Sequence, residues 1–298
     1  MITNVLLGIL GLFTAGFAVI FGKDVAAHKD QLEEETSWAI TGIIGFFVNF
    51  FDTLGIGSFA PTTALVRAFK QVQDRIIPGT LNVSCTIPVV LEAFIFIAAI
   101  EVETITLVSM LAAAVVGASL GAGIVAKLPE KSVQRVMGFA LLATAFLMLS
   151  GQMGWTASLG TGDAIGLTGS KLIIGIIGNL VLGALMTAGI GLYAPCMALV
   201  YMLGMSPRVA FPIMMGSCAF LMPVASARFI KEKAYNRKAS VAITLGGVVG
   251  VLIAAYIVKS LPIKILTWLV IVVILYTAIT LLRDSFKAKE VVNPEKNA

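Results

Sequence analysis

The sequence predicts an all-α protein that crosses a membrane several times and is built from two related halves. Hydrophobic residues make up 58% of the 298-residue chain and charged residues only 12%, whereas soluble domains carry about 25% charged residues. Several apolar runs approach or exceed the roughly 20 residues that a helix needs to cross a bilayer. The third observation is a motif containing Gly and Pro that occurs twice. We therefore expect a multi-pass protein of the plasma membrane.

The repeated motif begins at Thr53 and again at Thr187. In each copy a Gly-x-Gly interrupts an apolar run, and an Ala-Pro restarts it. Glycine adopts backbone angles that a helix forbids, and proline suits the first turn of a new helix. Each copy therefore predicts helix, break and helix, and a broken helix inside a membrane must face protein or water. The repeated residues are Gly55, Gly57 and Pro61 in the first copy and Gly189, Gly191 and Pro195 in the second.

The repeat extends beyond this motif and divides the chain. Further matches at nearly the same spacing include Pro78 with Pro212, Gly117 with Gly250, and Thr144 with Thr277. Duplicated halves are common in secondary transporters. The first span is retained rather than cleaved as a signal peptide, because no basic segment precedes its apolar run. We predict residues 1–37 as an N-terminal span and loop, 38–150 as the first transmembrane repeat, 171–283 as the second, and 284–298 as a cytoplasmic tail.

The elements follow in chain order from apolar runs that end at charged, Gly-rich or Pro-containing loops. Two long runs carry the breaks, and the others are single spans. The broken elements are predicted at Trp38–Ala68 and Leu172–Leu203. The spans are predicted at Val5–Phe21, Thr80–Ala99, Ile105–Val125, Val136–Leu149, Val209–Ala227, Val241–Val258 and Ile265–Leu282.

The charges of the loops favour one topology. If each broken element crossed the membrane once, the most basic loop, Arg228–Lys238, would lie opposite the loops at Arg67–Arg75 and Lys127–Arg135. That conflicts with the tendency of basic loops to share the cytoplasmic side. If each broken element is instead re-entrant and returns to the side it came from, all three loops fall inside. This arrangement predicts seven spans, two re-entrant hairpins that enter from opposite faces, and inverted repeats.

The breaks also predict a binding site. A half-helix that starts inside the membrane has unpaired N–H groups and the positive end of its dipole at its start, and the two together bind anions. We expect the hydroxyls of Ser58, Thr62 and Thr63 to add hydrogen-bond donors. The alternative is that these glycines and hydroxyls only let helices pack closely. The expected site comprises Asn49, Gly55, Gly57, Ser58, Pro61, Thr62, Thr63, Asn82, Ser84, Gly189, Gly191, Tyr193, Pro195, Cys196 and Ser217.

Two carboxylates lie in apolar segments, where such groups are costly and usually functional. Asp52 precedes the first break and Glu92 lies inside a span, whereas the second half has Met186 and Ala225 at the matching positions. Asp52 is expected either to carry a coupling proton or sodium ion, or to cap the half-helix that follows. Glu92 is grouped with Asp52 as a coupling residue and is expected to be a structural or gating partner of a nearby basic group.

Other function classes lack the residues that they need. Cys85, Cys196 and Cys218 have no metal-ligand spacing, and the single histidine, His28, lies in a polar loop. Without a nucleotide-binding motif or a nucleophile beside a base, we expect no cofactor, no metal and no enzymatic activity. The formal charge of +5 comes mostly from short basic loops that set orientation, so nucleic acid is not an expected partner.

The paired breaks resemble those of the TauE/SafE family of sulfite exporters and related permeases. The pieces that carry the resemblance are Gly55 to Pro61, Asn82-Val83-Ser84, and Gly189 to Pro195. It covers nearly the whole chain, although many members have a longer Gly run at the break. The resemblance implies a duplicated permease for sulfite, organosulfonates or other small sulfur-containing anions, and it leaves an oligomer open. An anion or water channel, which also uses half-helices, is the alternative.

Overall fold

The computed structural model describes residues 2–155, 162–256 and 263–286, and within these ranges the chain is helical apart from its connections. Most of the predicted tail at 284–298 lies outside the described residues, as does the end of the predicted span Val241–Val258. The helices, in chain order, are α1 (Ile2–Ala27), α2 (Trp38–Thr53), α3 (Phe59–Ala68), α4 (Ile77–Ala99), α5 (Thr104–Val125), α6 (Glu130–Gln152), α7 (Gly169–Met186), α8 (Tyr193–Met202), α9 (Pro207–Lys231), α10 (Arg237–Tyr256) and α11 (Ile263–Phe286).

Helix length and composition fit a multi-pass membrane protein. Among the described residues, seven helices are long and apolar enough to cross a membrane, namely α1, α4, α5, α6, α7, α9 and α10. This set includes α7, which the sequence analysis assigned to a broken element. Helix α11 has 24 residues and contains the predicted span Ile265–Leu282. Helices α2 and α8, with 16 and 10 residues, fall short of the about 20 residues of a full span.

Both predicted breaks are present. Helix α2 ends at Thr53 and α3 begins at Phe59, while α7 ends at Met186 and α8 begins at Tyr193. The turn after α2 uses positive φ angles at Gly55 (+88°) and Gly57 (+90°), and the turn after α7 uses one at Gly189 (+92°). A residue with a Cβ atom rarely adopts a positive φ, which explains why glycine occupies these three positions. Pro61 and Pro195 lie in the first turns of α3 and α8, where a missing N–H breaks no helical hydrogen bond.

The two halves of the chain pack against each other in matching pairs. Helix α2 packs along α10 and α7 along α5, while α4 packs on α9 and α6 on α11. A Cβ atom on Gly117 would lie 1.9 Å from the carbonyl oxygen of Leu180, and one on Gly250 would lie 2.2 Å from that of Phe46. Glycine at these positions therefore lets the helix backbones touch. Helix α1 stands outside these pairs and packs beside α4 and α9.

At one end of the bundle, hydrogen bonds join the segment before α2 to the segment after α3. The hydroxyl of Thr36 donates to the carbonyl oxygen of Gln71 (2.8 Å), and the side-chain amide of Asn236 donates to the Thr36 hydroxyl (2.8 Å). The backbone N–H of Asn236 donates to the hydroxyl of Thr80 near the start of α4 (3.0 Å). The starts of α2, α4 and α10 thus lie at the same end as the end of α3.

At the other end of α4, a second set of hydrogen bonds joins the segment before α7 to the segment after α8. The N–H of Glu103, which follows α4, donates to the carbonyl oxygen of Ile165 (2.8 Å). The N–H of Ser206, which follows α8, donates to the carbonyl oxygen of Ala164 (2.9 Å). The start of α7 and the end of α8 thus lie near the end of α4.

Ion pairs reinforce the first end of the bundle. The guanidinium group of Arg67, in the last turn of α3, lies 3.2 Å from Asp74 and also pairs with Asp284 in α11. The guanidinium group of Arg237, at the start of α10, pairs with Asp24 of α1 at 2.7 Å. These pairs connect α3 to α11 and α1 to α10.

Candidate functional site

The two breaks meet in the interior of the bundle. Two small cavities, each about 20 Å³ in volume, lie between them, and Gly57, Phe59, Gly191 and Tyr193 line both. A Cβ atom on Gly191 would lie 4.0 Å from Cβ of Phe59, so the starts of α3 and α8 face each other at close range. A cavity of this size has room for about one water molecule.

The backbone at each break offers unpaired donors. The first intrahelical hydrogen bond of α3 runs from the N–H of Thr62 to the carbonyl oxygen of Ser58, and that of α8 runs from Cys196 to Leu192, both over 2.9 Å. The N–H groups that precede these donors have no acceptor within their own helix. The positive ends of both helix dipoles also point toward this region. The breaks can therefore stabilise negative charge without a basic side chain.

The threonine hydroxyls of α3 are used differently from the prediction. The hydroxyl of Thr62 donates to the carbonyl oxygen of Ser58 (2.7 Å), and that of Thr63 donates to the carbonyl oxygen of Phe59 (2.9 Å). Short polar side chains inside helices commonly form such bonds to the preceding turn. Their protons are thus already used within α3, and neither threonine lines the two small cavities.

Asp52 lies in the last turn of α2 and lines one of the two cavities. Its side chain is 1% exposed, and within the described part of the chain neither carboxylate oxygen has a hydrogen-bond partner. The hydroxyl and the N–H of Ser58 are the polar groups that face it, but neither forms a hydrogen bond of normal geometry with it. Asp52 thus lies beside the start of α3, where the hydroxyl and the N–H of Ser58 face its carboxylate.

Glu92 of α4 connects the two breaks. Its buried carboxylate accepts a hydrogen bond from the hydroxyl of Thr53 at the end of α2 (3.0 Å) and one from the hydroxyl of Tyr193 at the start of α8 (2.9 Å). The prediction of a basic partner for Glu92 is wrong, since two hydroxyl groups take that place. Asp52 is close enough to interact with Glu92 electrostatically, so two acidic groups share the centre of the bundle.

Two of the expected amides lie away from the cavities. The side-chain amide of Asn49 donates to the carbonyl oxygen of Gly45 (2.8 Å), and the residue packs against Gly247 of α10. The amide of Asn82 donates to the carbonyl oxygen of Pro78 (2.9 Å). Neither Oδ1 atom has a partner among the described residues. Neither side chain lines the two small cavities.

The remaining expected residues are divided between the breaks and their surroundings. The hydroxyl of Ser84 lies 3.4 Å from the carbonyl oxygen of Leu81, and that of Ser217 accepts from Asn179 (2.7 Å). Neither serine lines the two cavities. Pro61, Pro195 and Cys196 lie in the first turns of α3 and α8, and Gly55 and Gly189 lie in the turns before them.

Asn179 of α7 was not among the predicted site residues. Its buried side-chain amide donates to the carbonyl oxygen of Met110 in α5 as well as to Ser217 in α9 (2.7 Å each), while its Oδ1 has no described partner. The signal in the sequence that could have identified it is a polar amide within an otherwise apolar run. Cys218 and Thr144, each of which lines one of the cavities, were also not expected there.

A larger pocket, about 190 Å³ in volume, adjoins the breaks. We call it the vestibule; it shares Ile56 and Ala194 with one of the small cavities and extends past Tyr201 to the end of α6 at Gly151. It thus leads from the breaks toward the end of the bundle at which α6 finishes. Its lining residues are Gly55, Ile56, Leu147, Met148, Gly151, Gln152, Ala194, Met197, Ala198 and Tyr201.

An apolar helical bundle with two interrupted helices facing each other at its centre is the architecture of a membrane transport protein. The model of the sulfite exporter TauE/SafE family matches residues 1–148 and 172–298, and the chain belongs to this family. The resemblance seen in the sequence is thereby confirmed, and the chain is an integral, multi-pass membrane transporter from a family of transporters rather than enzymes. No curated protein and no solved structure matches the chain. Across the described residues, no group of three or more His, Cys, Asp or Glu side chains could hold a metal ion.

Proposed function

We propose that this chain is a secondary transporter of a small sulfur-containing anion, of the sulfite or organosulfonate type. The anion binds between the starts of α3 and α8, near the middle of the bilayer, and its movement is coupled to a proton or sodium ion. The observation that carries the proposal is the pair of helix starts lined by Gly57 and Gly191, whose unpaired N–H groups and dipoles converge on the same two cavities.

The helix ends support a re-entrant arrangement of inverted repeats. The hydrogen bond from Thr36 to Gln71 brings the two ends of the α2–α3 hairpin together at one end of the bundle. The hydrogen bond from Ser206 to Ala164 does the same for the α7–α8 hairpin at the other end. Exchange of the repeats 38–150 and 171–283 also turns the pair α2–α10 into the pair α7–α5, and it leaves the pairs α4–α9 and α6–α11 unchanged. On this arrangement each hairpin enters from its own face and meets the other near the midplane.

The distribution of basic residues supports an orientation with the first end in the cytoplasm. Arg67 and Arg237 lie at that end, as their ion pairs show, and Arg135 of α6 stacks on Phe286 of α11 nearby. Cytoplasmic loops carry an excess of Lys and Arg. The vestibule extends toward the opposite end of α6, and it would then open toward the outside.

The size of the site bears on the transport step. Each cavity holds about one water molecule, and a sulfite ion or sulfonate group has at least four heavy atoms. Phe59 and Tyr193 are the largest side chains that line both cavities. Binding therefore requires these two side chains or their hairpins to move apart, which fits a transporter that changes conformation rather than a permanently open pore.

The charges around the cavities support ion coupling. Asp52 lines one of the cavities, Glu92 is hydrogen-bonded to Tyr193, which lines both, and no Lys or Arg is among the described residues that line either cavity. An anion next to two ionised carboxylates in a buried site is strongly repelled, because burial weakens screening. Uptake of a proton or cation together with the anion removes that repulsion, so Asp52 is proposed to bind the coupling ion.

Flux into proteoliposomes tests the proposal. We expect uptake of sulfite to saturate with concentration, to be inhibited by thiosulfate or methanesulfonate, and to respond to an imposed pH or sodium gradient. Acetate serves as the control anion that lacks sulfur. A flux that rises linearly with concentration and ignores both gradients would favour the channel alternative. Saturable uptake of acetate without any effect of the sulfur-containing anions would overturn the substrate class.

A further inference from the structure

We propose that the hydrogen bond between Glu92 and Tyr193 is a proton-operated latch, which holds the anion site divided into two cavities until Glu92 takes up a proton. This inference rests on the proposed function and names a positioning role for Tyr193 within it. When the latch opens, the two cavities join into one space between the helix starts. The proton thus controls whether the anion can enter.

The position of Tyr193 is the first support. Its side chain is 6% exposed, and it lines both small cavities together with Phe59. The hydroxyl is anchored to Oε2 of Glu92 at 2.9 Å, while Oε1 of the same carboxylate is anchored to Thr53 at 3.0 Å. One carboxylate on α4 therefore ties the start of α8 to the end of α2. Movement of Tyr193 away from the cavities requires this hydrogen bond to break.

The asymmetry of the repeat is the second support. Tyr193 corresponds to Phe59, which has no hydroxyl, and Glu92 corresponds to Ala225. The threonine that corresponds to Thr53 is Thr187, and both hydroxyls donate to a carbonyl oxygen of their own helix, that of Asn49 (2.9 Å) and that of Ala184 (2.7 Å); only the Thr53 hydroxyl also reaches a carboxylate. If the ring of Tyr193 only filled space, phenylalanine would serve, as it does in the first half. The tyrosine hydroxyl and its carboxylate acceptor are thus not shared by the two halves.

The chemistry of the switch follows from the two oxygens of Glu92. The ionised carboxylate accepts from both hydroxyls, and hydrogen bonds to a charged acceptor are the stronger kind. A proton bound at Oε2 turns that oxygen into a donor, so Tyr193 loses its charged acceptor. The proton arrives as hydronium from bulk water: one O–H bond of hydronium breaks, the O–H bond of the Glu92 carboxyl group forms, and a neutral water molecule is released.

The groups around Glu92 determine the direction of the coupling. Asp52 on α2 and Cys218 on α9 interact with Glu92 electrostatically, as do Tyr193 on α8 and Cys85 on its own helix. None of these groups carries a positive charge. An arriving anion therefore favours protonation of Glu92, and by linkage a proton on Glu92 favours binding of the anion.

Tyr193→Phe is the variant that tests the latch, because it removes the hydroxyl and keeps the ring. The control is Tyr235→Phe, since the Tyr235 hydroxyl also donates to a carboxylate, that of Asp24 (2.5 Å), but at the cytoplasmic end. The affinity of purified protein for sulfite is measured from acid to alkaline pH. The ratio of variant to wild-type Kd is compared at each pH, so that the protonation of sulfite itself cancels.

For Tyr193→Phe we expect sulfite binding about tenfold to a hundredfold tighter than wild type at alkaline pH, converging on the wild-type value at acidic pH. Tyr235→Phe should give a constant ratio. A ratio for Tyr193→Phe that does not change with pH, or that matches the control, overturns the latch and leaves an ordinary packing role.

A second readout needs no anion. Cys218 is buried and lines one of the cavities, so its reaction with a small methanethiosulfonate reagent reports opening. Peptide mass spectrometry quantifies the modification of Cys218 in the otherwise native chain. Tyr193→Phe should accelerate labelling over wild type at alkaline pH but not at acidic pH, whereas Tyr235→Phe should match wild type. Equal labelling at every pH refutes the latch. If wild type binds no sulfite, the proposed substrate fails instead, and labelling still decides the latch.

Discussion

The hydroxyl of Tyr193 donates a hydrogen bond to Oε2 of Glu92 over 2.9 Å, although the two residues lie in different halves of the chain. The other carboxylate oxygen of Glu92 accepts from Thr53. A single buried carboxylate therefore joins the end of one interrupted helix to the start of the other. Because these helix starts line the proposed anion site, small changes at Glu92 should reach both sides of that site.

Asp52 is expected to carry the coupling ion, because its carboxylate is buried, lines a cavity and has no hydrogen-bond partner in the described ranges. Asp52→Asn should abolish accumulation of sulfite driven by a proton or sodium gradient, while exchange of labelled for unlabelled sulfite continues. The measurement is uptake by proteoliposomes under each condition. Glu101→Gln, at an exposed position outside the helices, is the control. Accumulation at the wild-type level in Asp52→Asn would exclude the coupling role.

Ser58 and Thr63 should respond differently to loss of their hydroxyls. The Thr63 proton is already donated to the carbonyl oxygen of Phe59, whereas the Ser58 hydroxyl faces the cavity that Asp52 lines. We expect Ser58→Ala to weaken sulfite binding by about tenfold to a hundredfold, and Thr63→Val to change it by less than about tenfold. Calorimetric titration of both purified variants checks this order. A larger loss for Thr63→Val contradicts the geometry described for α3.

Gly57 and Gly191 occupy matching positions but differ in backbone conformation. Gly57 has a φ of +90°, while Gly191 is not among the residues with positive φ. A side chain at Gly57 should therefore strain the turn and cost about 1–3 kcal/mol of stability, whereas Gly191→Ala should be nearly neutral. Thermal unfolding of the two alanine variants in detergent checks the difference. Equal destabilisation would mean that the two turns are conformationally alike.

The first end of the bundle is expected to face the cytoplasm. Cysteines introduced at the exposed Lys70 and Lys233 should then resist a membrane-impermeant thiol reagent applied from outside intact cells. A cysteine at the exposed Met153, which follows α6, should react. If each broken element crossed the membrane once, Lys70 and Lys233 would lie on opposite sides, so labelling of Lys70→Cys and Lys233→Cys from opposite sides would rule out the re-entrant hairpins and the inverted repeats with them.

The helix breaks could be predicted from sequence because their cause is local. Glycines that adopt positive φ, such as Gly55, and prolines that start helices act through their own backbone, so the ends at Thr53 and Phe59 follow from residue type. The use of the Thr62 hydroxyl is also local, since a threonine in a helix can always reach the carbonyl of the preceding turn. The hydrogen bond from Thr62 to Ser58 was therefore predictable from the sequence, although the Thr62 hydroxyl was expected to donate to the anion.

The partners of Glu92 could not be predicted in the same way. A buried carboxylate indicates that some polar group must lie nearby, but nothing in the neighbouring sequence identifies Tyr193, which only the packing of α8 against the centre brings close. The same holds for Asn179, whose two hydrogen-bond partners lie on α5 and α9. Contacts of this kind depend on how the two halves of the chain pack together, and the local pattern of residue types along one sequence does not determine that packing.

The central claim, that the anion lies between the two breaks, is tested most directly by sulfite binding to Gly191→Leu. A Cβ at Gly191 would lie 4.0 Å from Phe59 with no closer contact, and one at Gly8 of α1 would meet nothing within 4 Å, so Gly8→Leu is the matched control. Calorimetric titration of purified, folded protein should show wild-type affinity for Gly8→Leu and no measurable binding for Gly191→Leu, because the leucine side chain occupies the cavities. Wild-type affinity in both variants would contradict a site at the breaks.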